Sequence, residues 1–184
     1  RGWWNVKDQK ITDIQTVRVF VDCAQSFCVL IENHTLYRPY EFVVQCSISL
    51  MDLYKAALNL PDIESRTTER TDHVDSREPE AIIDGLSEKF KDQNFYWLIF
   101  DPFDKEEAVG STVSSDLLEI YEDIKGNLTL FQSGTEDNIR DAIWSWKFDF
   151  SSHWGRHLVN VIRPMYSLLF WRLLPTKPEL QKSI

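Results

Sequence analysis

Along most of this chain apolar residues return every three or four positions, the period of a helix with one buried face. In residues 11–32 the stripe is Ile14, Val17, Val21, Ala24, Cys28 and Ile31, with Phe20 and Phe27 widening it and Glu32 closing it. Pro39 suits a helix start. Residues 40–59 repeat the pattern with Val43, Cys46, Leu50, Leu53, Ala57 and Leu58, and Leu60-Pro61-Asp62 ends it. Two helices of similar length with a short connection predict an antiparallel hairpin. A third helix is expected over residues 79–91, where Gly85 costs ~1 kcal/mol relative to alanine. A fourth is expected over residues 115–133, with Ser114 or Ser115 as N-cap and Gly134 just past its end. From Thr135 the pattern stays helical almost to Leu174. Pro164 would kink that helix, and Ser151-Ser152 could instead divide it, with a serine capping the second part.

The pattern fails in two places. Residues 62–78 are polar and charged, and predict a solvated, mobile loop. Asn94 to Phe103 contains the unbroken apolar run Phe95 to Phe100. No strand partner is evident, so it reads as a buried irregular or single-turn helical segment, followed by a loop over residues 104–113. The expectation is one all-α domain over residues 1–184, an irregular bundle of five or six helices around a long C-terminal helix.

Composition agrees. The hydrophobic fraction is 43% and the aromatic fraction 13%, enough for a core rich in rings. The formal charge of −9 disfavours binding to nucleic acid or to an anionic membrane. That charge is uneven: Asp101 to Asp123 holds eight acidic residues and one basic, whereas Asn138 to Ile184 holds seven basic and three acidic. The two regions are expected to face each other. Cys23, Cys28 and Cys46 lie in apolar periodic segments and read as buried thiols of a reducing compartment, so a cytoplasmic location is expected. Arg1-Gly2-Trp3-Trp4 lacks signal-peptide features, and without a starting methionine upstream residues are expected to be missing. No apolar run approaches the ~20 residues that span a bilayer.

Candidate chemistry gathers at Ser151-Ser152-His153-Trp154-Gly155-Arg156-His157. Continuing the face of Ile143, Trp146 and Phe150 places His153 and His157 inward, one turn apart. One reading is a metal pair for Zn²⁺ or Fe²⁺, completed by a carboxylate from Glu32, Asp101, Asp116 or Glu119. Trp-Gly-Arg between the histidines departs from the H-E-x-x-H protease pattern. The plainer reading is two inward histidines hydrogen-bonded to buried carboxylates, Glu32 and Asp116, that pin the last helix to its neighbours. Asp101, Asp116, Glu119, Glu122 and Asp123 could form a hard-cation site, or an acidic face meeting Arg140, Lys147, Arg156 or Arg163. Trp97, Trp144, Trp146 and Trp154 could line a pocket for a base or sugar, though Trp146 follows the core stripe. No oxyanion motif and no glycine-rich phosphate loop is visible.

Five segments carry a resemblance: Cys23 to Glu32 (CAQSFCVLIE), Leu53 to Pro61 (LYKAALNLP), Tyr96 to Phe103 (YWLIFDPF), Ser115 to Asp123 (SDLLEIYED) and Ala142 to His157 (AIWSWKFDFSSHWGRH). They are similar to a family of uncharacterised bacterial proteins, catalogued as a domain of unknown function. The resemblance covers about residues 17 to 166 and implies an all-α, cytosolic bacterial domain. It implies no activity, and residues 62–78 are where variation is expected. Function therefore rests on the residues. With no complete catalytic constellation, a non-enzymatic interaction or ligand-binding domain comes first. A metal-dependent hydrolase using His153, His157 and nearby carboxylates is the alternative, with Asp116 as the third ligand and Arg156 and Trp154 as neighbouring binding residues. Cofactor, partner and oligomeric state are left open.

Overall fold

The computed structural model describes residues 14–65, 78–105 and 107–173. Six α-helices and one β-hairpin make up most of these residues. The helices are α1 (Gln15–Glu32), α2 (Pro39–Leu58), α3 (Glu78–Phe90), α4 (Val113–Gln132), α5 (Glu136–Ser152) and α6 (Trp154–Ser167). The strands β1 (Phe95–Leu98) and β2 (Val109–Thr112) lie between α3 and α4. The all-α expectation holds, as an irregular bundle whose middle is α4. That helix packs against α1, α3, α5 and α6, and α2 closes the far side against α1 and α6. Most of the loop expected at residues 62–78 lies outside the described residues.

The apolar stripes predict the core. Val17, Ala24, Cys28 and Ile31 of α1 are buried, as are Val43, Cys46, Leu50 and Leu53 of α2. Phe20 packs on Trp146 with ring centroids 4.9 Å apart, and Trp146 also meets Phe131 at 5.6 Å. The ends form largely as local chemistry dictates. Pro39 opens α2, where the Glu41 carboxylate accepts from the Arg38 amide at 3.3 Å. Gly134 takes φ +81° just past α4, a region open to glycine. The N-cap of α4 is Thr112 rather than Ser114 or Ser115, and its hydroxyl accepts from the Ser115 amide at 3.1 Å. Ser114 is instead buried against Asn94, whose side-chain amide donates to its hydroxyl at 2.9 Å.

Local expectations need correction in two places, the hairpin and the C-terminal segment. Residues 95–98 are a strand, not an irregular or helical segment. Its antiparallel partner is β2, paired from Phe95 opposite Thr112 to Leu98 opposite Val109. The pattern concealed β2 because Val-Gly-Ser-Thr is short, polar and contains the glycine that strands avoid. Gly110 has a reason to be there: a Cβ at that position would lie 2.5 Å from the Phe95 ring. The run is also far from fully buried, with Phe95, Trp97, Ile99 and Phe100 exposed while Tyr96 faces inward.

Of the two readings of the C-terminal segment the divided one holds: it is two helices, not one long kinked helix. His153 leaves the helical region at φ −140°, ψ −89°, and α6 restarts at Trp154. The Ser151 and Ser152 hydroxyls donate back to the Phe148 carbonyl at 2.7 and 2.9 Å, so neither caps α6. Gly155 permits the tight junction, since a Cβ there would sit 2.0 Å from the Phe150 carbonyl oxygen. Gly85, read from sequence only as a helix weakener, makes room in the same way. A Cβ there would fall 2.1 Å from Nε2 of His34, a buried ring that bonds the Ile31 carbonyl through Nδ1 at 2.9 Å.

Candidate functional site

Three elements meet on one side of α4. Asp116, Glu119 and Asp123 share a helical face, as their spacing requires. The α5–α6 junction lays His153 and His157 over that face, and the hairpin covers its N-terminal end. His153 Nδ1 bonds the Asp123 carboxylate at 2.7 Å, and His157 Nδ1 bonds Asp116 at 2.8 Å. The same Asp116 carboxylate accepts from the Tyr96 hydroxyl and from the Ser111 hydroxyl at 3.4 Å. Asp116 and Asp123 are buried, whereas the side chains of His153, His157 and Glu119 are 40%, 29% and 41% exposed. The pairs are therefore carboxylates held inside and imidazoles presented outward.

With both Nδ1 atoms engaged, each ring has Nε2 left. His153 Nε2 lies 3.7 Å from the Glu119 carboxylate, and the two rings meet edge to face with centroids 5.0 Å apart. One ligand atom from each of Glu119, His153 and His157 falls within 4.8 Å of the other two. Among the described residues this is the one such group of histidine, cysteine and carboxylate ligands. Electrostatics favour the protonated form of His157, paired to Asp116. The Asp116 hydrogen bond raises the His157 pKa against the desolvation that lowers it; the charges of Asp116 and Glu119 raise it further and Arg156 opposes them. Burial, and then the Asp116 contact, push the Tyr96 phenol far up, so it stays protonated and donates.

The sequence candidates divide. His153, His157, Asp116, Glu119 and Asp123 converge. Two separate sequence readings, a histidine pair and an acidic face, are one place in the fold. Glu32 is a correction: it accepts from Tyr121 at 3.0 Å and pairs with Lys125 at 2.5 Å, because α1 meets α4 on another side. Its expected place beside a histidine is taken by Asp123. Asp116 stands behind the His157 ring with both carboxylate oxygens engaged, while Glu119 lies 3.7 Å from His153 Nε2. Asp101 lies in the exposed stretch after β1, where its side chain accepts from the Phe103 amide at 2.9 Å. Arg156 is exposed on α6 and donates to the Ser152 carbonyl at 2.6 Å. Trp154 is fully buried, its indole donating to the Trp146 carbonyl at 3.1 Å, so it belongs to the core. Trp97 is 65% exposed and Trp144 stacks on Phe148, so the four tryptophans line no common pocket.

Sequence reasoning missed Tyr96 and Ser111, which reach Asp116 only because β1 and β2 pair. No local signal marked them: Phe95 to Phe100 is unbroken apolar in sequence, and the alternation of exposed Phe95 and Trp97 with inward Tyr96 is seen only in the folded strand.

No helix among the described residues is long and apolar enough to cross a membrane. No curated protein matches the chain. A crystal structure of protein BF1032 from Bacteroides fragilis, a structural genomics target, is similar at 26% identity and a TM-score of 0.76. The match covers 89% of this chain and 97% of that one. The model of one family matches residues 13–170, and the chain belongs to that family, the Domain of unknown function DUF5063.

Proposed function

We propose that this domain binds one divalent transition-metal ion through His153, His157 and Glu119. One observation carries the reading: both imidazoles give Nδ1 to a buried aspartate, His153 Nε2 lies 3.7 Å from the Glu119 carboxylate, and one ligand atom from each of Glu119, His153 and His157 falls within 4.8 Å of the others. Metal-bound histidines are held this way, because the carboxylate fixes the ring and strengthens the nitrogen that binds. Histidines serving only as core tethers gain nothing from standing part-exposed beside a third, part-exposed carboxylate. Two imidazoles and one carboxylate suit Zn²⁺, Fe²⁺ or Mn²⁺. A tetrahedral ion with bonds of ~2.0–2.1 Å spaces its ligands by roughly 3.3 Å, so small side-chain rotations close the set.

Three protein ligands leave a fourth position for water, which such an ion acidifies to a pKa of about 7. That open position supports the hydrolase reading as the second one. The chain is taken as a single domain in the cytoplasm: one continuous apolar cluster and free Cys23, Cys28 and Cys46 support this. The charge of −9 supports a partner other than nucleic acid or an anionic membrane.

The test is elemental analysis together with titration of the chelator-stripped chain with Zn²⁺ and Mn²⁺. We expect one ion per chain. At a hundredfold excess of free ion over Kd we expect stabilisation of about 2.7 kcal/mol. His157→Ala or Glu119→Gln should weaken binding by at least about tenfold. No stoichiometric uptake, with a melting temperature unmoved by either ion, overturns the metal centre. Metal-dependent release of p-nitrophenol from its acetate or phosphate ester would favour the hydrolase over a non-catalytic binding domain.

A further inference from the structure

Against the α5–α6 junction lies a cavity of about 290 Å³, lined by Tyr54, Phe100, Phe150, Gly155, Arg156 and Asn160. Its two ends differ in chemistry. One is aromatic: Tyr54 and Phe150 meet edge to face at 5.5 Å, and exposed Phe100 shares the lining with them. The other is polar. Arg156 spends one donor on the Ser152 carbonyl, and no carboxylate among the described residues pairs with it. The Asn160 amide has no hydrogen-bond partner among the described residues, and lies one turn beyond Arg156 on α6.

We propose that this cavity takes a small anion carrying one planar apolar ring. A phosphate or carboxylate head would meet Arg156 and Asn160, and the ring would lie against Tyr54, Phe100 and Phe150. Guanidinium offers several charge-assisted donors to such a head, and a half-open aromatic wall favours a flat apolar body. The volume is at the lower end for ligand sites, which fits a single ring rather than a dinucleotide. The inference rests on the metal reading in one respect. Asn160 is three residues past His157, so on the helix surface the polar end adjoins the candidate ligands. The head group would then approach the ion's open position, as a substrate's would.

Calorimetric titration of the full chain with phenyl phosphate, benzoate, inorganic phosphate and phenol tests this, with and without Zn²⁺. We expect saturable binding of phenyl phosphate or benzoate, weaker binding of inorganic phosphate, and none of phenol. Arg156→Gln should lower affinity by about tenfold or more, and Phe100→Ala by a few-fold, with wild-type melting curves for both exposed positions. Absence of saturation by either aromatic anion, or equal binding by Arg156→Gln, overturns the proposal. The two readings fail separately. One zinc per chain without aromatic-anion binding removes the cavity's role and leaves the metal centre. Arg156-dependent binding by a chain that takes up no zinc removes the centre and leaves the cavity.

Discussion

Tyr96 shows how one side chain can join two parts of the molecule that sequence keeps apart. Its hydroxyl and that of Ser111 hold the buried Asp116 carboxylate, which in turn holds His157. Phenylalanine at position 96 keeps the ring and removes the donor. We expect Tyr96→Phe to destabilise the metal-free chain by about 1–3 kcal/mol, because a buried carboxylate oxygen loses its donor. Under the metal proposal we also expect zinc affinity to fall about 10–100-fold. Urea unfolding and a chelator competition read the two effects. Unchanged values in both would mean that the tyrosine neither holds Asp116 nor orients His157. Asp116 was legible in sequence as one of several acids on a helix face. Its role was not, since hydrogen-bond partners 20 and 41 positions away leave no local trace.

Among elements, the α5–α6 junction decides the site. A continuous helix would stack His153 directly beneath His157 and carry both along one straight axis. The break at His153 gives the two rings different backbone settings, so that one reaches Asp123 and the other Asp116 on α4. Gly155 makes that break possible. Gly155→Ala would force a Cβ against the Phe150 carbonyl, a backbone atom that cannot swing away. We expect a loss of about 1–3 kcal/mol in urea unfolding, even though alanine is the better helix former by ~1 kcal/mol. A gain in stability would show that the junction relaxes without cost. Ser151-Ser152 marked the position of the break in sequence, but the agent is the glycine that follows.

At the scale of the whole molecule, burial sets thiol chemistry. Cys46 is fully enclosed between α2 and its neighbours and burial raises its pKa strongly, while Cys28 is pushed up to about 12. Cys23 is partly exposed, and burial followed by the nearby Asp52 and Asp22 raises its pKa less. Thiolate is the reactive form, so all three should be sluggish in the native state. Iodoacetamide at pH 8 should modify Cys23 alone, slowly, and all three residues in denaturant. Mass spectrometry of the two samples checks this. Fast native labelling of Cys28 or Cys46 would mean that the helices open readily.

Helix period, some helix ends and most of the buried stripe of each helix were determined by the sequence, because they depend on neighbours within one or two turns. Thus Val17 to Ile31, Pro39 and Gly134 could be placed before any tertiary structure was known. The candidate site was visible in two halves, His153 with His157 and Asp116 with Glu119 and Asp123. Only tertiary structure decided that these halves face each other, that Asp123 rather than Glu32 holds His153, and that β1 finds a partner in a strand with almost no strand signal. The physical reason is common to all three. Packing, and the requirement that buried polar groups find partners, act between distant segments, and helical period reports which face is buried but not what it is buried against.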